Sequence, residues 1–87
     1  MKVLIIDAAN FTTKAAAHEN IAKILDFPAY YGKNLDALAD LLSELPRDVS
    51  VVMLNSDAAR KLIGGYAEGI TETFADVLGS KGRFTAV

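Results

Sequence analysis

Two carboxylates stand four residues apart in Leu35-Asp36-Ala37-Leu38-Ala39-Asp40-Leu41-Leu42. On a helix that spacing sets them side by side on one face. Ser43 shares the face, Glu44 borders it, and no lysine or arginine lies between 36 and 44. Three chemistries are open to such a pair: acid–base work of the glycosidase kind, capture of a hard cation, or presentation of negative charge to a cationic partner. Acid–base work needs a cleft, which one exposed helix face does not make. A hard cation needs further oxygen ligands, and none are evident in the sequence. Asp36 has a structural explanation, because the helix dipole favours an acid in the first turn. Asp40 does not. It stands mid-helix, where aspartate is a mediocre helix former, and it repels Asp36 at a cost of about 0.2–0.5 kcal/mol. The plain alternative is a solvated face with no task.

The segment before the pair adds Tyr30 and Tyr31, adjacent aromatics beside Gly32, which would supply a backbone angle that other residues resist. Both rings need not fit a core, so one is expected at the surface beside the aspartates. Tyrosine is a common interface anchor. His18 is the one histidine. Alone, near the outer face of a helix, it reads as solvated rather than as a metal ligand. Gly64-Gly65-Tyr66-Ala67-Glu68-Gly69 matches neither a dinucleotide fingerprint nor a phosphate loop, and reads as the end of one helix and the start of another.

The elements that must position these residues follow from apolar periodicity. Lys2–Asp7 is a continuous aliphatic run, read as a strand buried on both faces. Thr12 or Thr13 can cap a helix over about 14–25, with Ala17, Ile21, Ile24 and Leu25 at helical spacing. Pro28 stops it, and Asn34 caps a second helix that runs to about Glu44, with Leu35, Leu38, Leu42 and Leu45 facing the core and Leu41 at the edge. After a turn at Pro46-Arg47-Asp48, Val49–Leu54 reads as a second buried strand. Ser56 and Asp57 start a short third helix, and a fourth spans about 66–79 with Ile70, Phe74, Val77 and Leu78 on one side. Residues 84–87 suit a last strand. The order β-α-α-β-α-α-β predicts an α/β fold with a three-stranded parallel sheet, helical crossovers and about four helices. Ile21, Leu38, Leu42, Ile70, Phe74 and Val77 are expected to be buried.

Composition narrows the classes. With 87 residues, 52% of them hydrophobic, the chain is expected to form one domain over 1–87 with a real core. Without cysteine it leans to a reducing compartment, and its short N-terminal apolar run, broken by Asp7, makes a poor signal peptide. No run approaches the ~20 apolar residues that span a bilayer. A net charge of -2 argues against direct nucleic-acid binding.

Residues 28–41, Pro-Ala-Tyr-Tyr-Gly-Lys-Asn-Leu-Asp-Ala-Leu-Ala-Asp-Leu, resemble the signature segment of the barstar family of ribonuclease inhibitors. Length and element order agree with that family over essentially the whole chain. The resemblance implies a cytoplasmic inhibitor, not an enzyme, that plugs the active site of a basic extracellular-type ribonuclease in a one-to-one complex. It implies neither cofactor nor metal, and contact with neither nucleic acid nor membrane. The implied partner-binding residues are Tyr30, Asn34, Asp36, Asp40 and Asp76. Asp40 would fill the subsite of the scissile phosphate, Asp36 is the second family aspartate, Tyr30 seals the site, and Asp76 is the acid of the last helix. The chain departs from the best-known member at Ala39, a tryptophan there, at Leu41, a cysteine there, and at Lys33, an acid there; Asp76 replaces a glutamate. An adaptor of the same fold with a partner other than a ribonuclease is the alternative.

Overall fold

The computed structural model describes residues 2–87. Strand β1 (Lys2–Asp7) leads through a 3-10 turn at Ala8–Asn10 into helix α1 (Lys14–Leu25). Helix α2 (Leu35–Ser43), strand β2 (Val49–Leu54), helix α3 (Ser56–Ile63) and helix α4 (Gly65–Leu78) follow, and a 3-10 turn at Gly79–Lys81 precedes strand β3 (Phe84–Ala86). The sheet is ordered β1-β2-β3 with both pairs parallel, so β2 is central. The fold is the α/β class expected from the sequence, with four helices and a three-stranded parallel sheet.

Local chemistry sets the boundaries. The Thr13 hydroxyl accepts from the Ala16 N–H at 3.0 Å and starts α1. The Asn34 side chain accepts from the Ala37 N–H at 2.8 Å and starts α2. Both side chains satisfy amides that a helix leaves orphaned in its first turn. Gly64, at φ 63° and ψ −141°, divides α3 from α4 in a conformation closed to other residues.

Register shows which face of the sheet is covered. Ile6 pairs with Met53, and Leu4 and Phe84 both pair with Val51. Paired residues point to the same side, and on this side Phe84 stacks on Phe74 of α4 with ring centroids 5.2 Å apart. Ile21, Leu38, Leu42, Ile70 and Phe74 are fully buried in the same core, as expected. Val77 is not: it is half-buried and packs against the edge of that core.

The expectation that the strands are buried on both faces fails. Val3 and Ile5, on the opposite side of β1, are 52% and 57% exposed. Strand β2 alternates between buried Val49, Val51 and Met53 and only part-buried Ser50, Val52 and Leu54. A continuous aliphatic run is normal for a parallel strand covered on two sides. Here it accompanies a sheet covered on one side only.

Candidate partner-binding face

Helix α2 turns Leu38 and Leu42 into the core and leaves Asp36 and Asp40 exposed. Among the described residues, no cation lies within ion-pair distance of either carboxylate, and neither carboxylate accepts a hydrogen bond. The Ser43 hydroxyl donates to the Asp40 main-chain carbonyl at 2.6 Å, so it supports the helix end and not the carboxylate. Two like charges four residues apart and unscreened by a partner are a mild electrostatic burden on the free helix.

The loop from α1 to α2 divides the tyrosine pair. Tyr30 is 81% exposed and Tyr31 is buried: the sequence pattern expects one tyrosine at the surface, and it is the one the family resemblance implies. Gly32 does not supply the unusual angle; Lys33 does, at φ 54°. Gly32 stands where space is tight instead: a Cβ there would be 3.3 Å from the Ala37 Cβ and from Asn34 Nδ2. Lys33 reaches back to Glu19 of α1 at 3.7 Å, which partly neutralises a cation that would otherwise weaken the acidic face. Asn34 is occupied with the helix start, and its Nδ2 also donates to the Gly32 carbonyl at 3.3 Å.

Asp76 comes from α4, which packs directly on α2. The two helices come close at Gly69, where a Cβ would stand 3.0 Å from Leu35 Cδ1. Asp76 lies about two turns beyond Gly69, hence on the same flank of α4, and is exposed. Tyr30, Asn34, Asp36 and Asp40 therefore belong to one loop–helix unit, and Asp76 belongs to the helix packed against it.

His18 corrects the sequence reading. It is 1% exposed, not solvated. Its Nδ1 and Nε2 each lie 2.6 Å from a tyrosine hydroxyl, those of Tyr31 and Tyr66 respectively. Burial and then the charge of Lys33 hold its pKa below the ordinary value of 6.5. Burial pushes the Tyr31 and Tyr66 hydroxyls upward, Tyr31 furthest. The signal was present in the sequence: His18 precedes the buried Leu25 by seven residues and so shares its side of α1. Tyr66, 48 residues away, gave no such signal.

Two surface depressions, of about 350 and about 430 Å³, lie elsewhere. One runs between α3 and α4 past Arg60 and Glu68, and the other flanks the loop at Phe27 and Lys33; neither is lined by Asp36 or Asp40. Among the described residues, no group of three His, Asp or Glu is placed to hold a metal ion. No helix there is long and apolar enough to cross a membrane. The acidic pair stands exposed, outside both depressions, where another molecule can reach it.

Residues 1–86 match the family model described as Barstar (barnase inhibitor). The chain belongs to the barstar family. It is also 35% identical over 79 residues to a Bacillus subtilis (strain 168) protein named "Putative ribonuclease inhibitor YrdF", covering 87% of this chain and 85% of that one. The barstar description is that of an inhibitor and not of an enzyme.

Proposed function

We propose that this barstar-family chain is a cytoplasmic inhibitor of a small basic ribonuclease of the extracellular type, and that it acts by covering the active site in a one-to-one complex. The observation that carries this reading is the exposed, unpaired Asp36–Asp40 face of α2 beside Tyr30. A ribonuclease site is built to hold phosphate with preorganised cations. Asp40 supplies a carboxylate in place of the scissile phosphate and receives charge-assisted hydrogen bonds from arginine. Asp36 engages a second cation. Tyr30 lays a rigid apolar ring over the rim, at little entropic cost because few of its bonds rotate. Asn34 keeps the start of α2 fixed, and Asp76 adds a contact from α4. The local negative field also speeds encounter with a basic enzyme at low salt.

The inhibition should be competitive with RNA, and salt should weaken it mainly by slowing association. Steady-state cleavage of an RNA substrate by basic microbial ribonucleases, at several inhibitor and salt concentrations, tests this. Non-competitive inhibition, or affinity indifferent to salt, would remove the case for active-site plugging.

A further inference from the structure

The 26–34 loop holds an improbable conformation. Asp26 and Lys33 both sit in the left-handed region, at φ 56° and φ 54°. Non-glycine residues accept that region only where the surroundings impose it. The loop's own ties are few and exposed or at its ends: Phe27 N–H to the Ala22 carbonyl at 2.9 Å, Tyr31 N–H to the Pro28 carbonyl at 3.0 Å, and Asn34 Nδ2 to the Gly32 carbonyl at 3.3 Å. The Lys33–Glu19 pair is solvent-exposed and contributes little. The buried tie is the Tyr31 hydroxyl on His18, with Phe27 edge-on to the Tyr31 ring at 5.0 Å.

His18 joins three elements. It stands on α1, holds the loop through Tyr31, and reaches the first turn of α4 through Tyr66. A neutral imidazole donates from one ring nitrogen and accepts at the other. One tyrosine hydroxyl therefore donates into the ring and the other accepts from it, and both ring nitrogens are satisfied. Tyr31 is the immediate neighbour of Tyr30, and the loop ends at Asn34, the start of α2. Fixing Tyr31 thus fixes the entry to the whole acidic face, while Tyr66 ties the same ring to the helix that carries Asp76.

We infer that His18, with Tyr31 and Tyr66, is a positioning residue of the partner-binding face: the buried Tyr–His–Tyr bridge holds the 26–34 loop so that Tyr30 and the start of α2 stand preorganised for the partner. This rests on the ribonuclease-inhibitor reading for its partner, but the loop itself can be measured without one. If the bridge breaks, only a fraction of molecules present the competent loop, and apparent affinity falls by that fraction.

The experiment has two arms. In the free protein, amide hydrogen exchange is followed by NMR in the parent, Tyr31→Phe, His18→Gln and His18→Leu. Tyr31→Phe should speed exchange at residues 27, 31 and 37 about tenfold relative to the sheet amide of Val51. His18→Gln keeps a donor and an acceptor and should lie nearer the parent than His18→Leu does. In the second arm, affinity for an inhibited basic ribonuclease should fall about tenfold in Tyr31→Phe, with the salt dependence of association unchanged because no charge is altered. Should Tyr31→Phe fail to fold, Tyr66→Phe breaks the other, half-buried end of the bridge and should give the same pattern in milder form. A loop no more mobile in these variants overturns the inference, as does a loosened loop with unchanged affinity. So does His18→Gln behaving like His18→Leu, since packing alone would then hold the loop. Failure of the parent to inhibit any basic ribonuclease marks the failure of the functional reading, and the positioning role falls with it.

Discussion

Acidification should destabilise this protein through His18 before its carboxylates titrate. The imidazole is buried between Tyr31 and Tyr66, and burial followed by the charge of Lys33 holds its pKa below 6.5. In the unfolded chain the ring takes up a proton near 6.5, while the folded ring resists it. Between those two values the unfolded state carries more protons, so stability falls as pH falls. One proton corresponds to at most about 1.4 kcal/mol per pH unit between the two pKa values. For a chain of this length total stability is on the order of 4–13 kcal/mol, so the loss is measurable. Asp7 has its pKa lowered from 3.8 by Asn55 and then by the Ala9 amide, so its contribution disappears only at still lower pH. Urea unfolding followed by far-UV circular dichroism at pH 7.5, 6.5, 5.5 and 4.5 tests this. The parent midpoint should drop below pH 6.5, and His18→Gln should remove most of the slope above pH 5. A parent midpoint constant from 7.5 to 4.5, or a variant with the parent's slope, would refute the reasoning. At the other extreme, the raised Tyr31 and Tyr66 hydroxyls stay neutral in the fold while unfolded tyrosine ionises near pH 10, so stability should also decline above that value.

Two further outcomes concern α2. Leu38 is fully buried, so Leu38→Ala should cost about 2–5 kcal/mol through the cavity it leaves, read as a lower urea midpoint. Asn34→Ala removes the side chain that accepts from the Ala37 N–H at 2.8 Å and should cost about 0.5–2 kcal/mol, read in the same assay.

What the sequence made legible was local. Helix starts at Thr12 or Thr13 and at Asn34 could be read because capping is decided within four residues; the structure selects Thr13 of the first two and caps α2 with Asn34. The leucine stripe of α2 could be read because a helical period repeats within one element. That one of Tyr30 and Tyr31 stays outside followed from the limited room in a small core; which one did not follow from the pattern, and the structure buries Tyr31. What was not legible was non-local. The side of α1 that His18 shares with Leu25 could be read, but its partner Tyr66, 48 residues away, could not, and a polar ring with no visible partner suggested solvent. The aliphatic run of β1 is the same whether one face of the sheet is covered or two, so only the structure shows Val3 and Ile5 exposed. Lys33 in the left-handed region defies residue preference, since the neighbouring Gly32 was the natural candidate.

The central claim is that one face of α2 is there to bind and the other to fold, and Asp40→Ala tests it most directly. Asp40 is exposed, forms no ion pair among the described residues, and opposes Asp36 one turn away. Urea unfolding should therefore find the variant as stable as the parent, or more stable by up to about 1 kcal/mol from better helix propensity and relieved repulsion. Titration of the same variant against an inhibited basic ribonuclease should show binding weakened by about 3–5 kcal/mol, because the partner's cations lose their counter-charge while remaining covered. A variant that unfolds, or that binds as tightly as the parent, would contradict the assignment of Asp40 to the binding face.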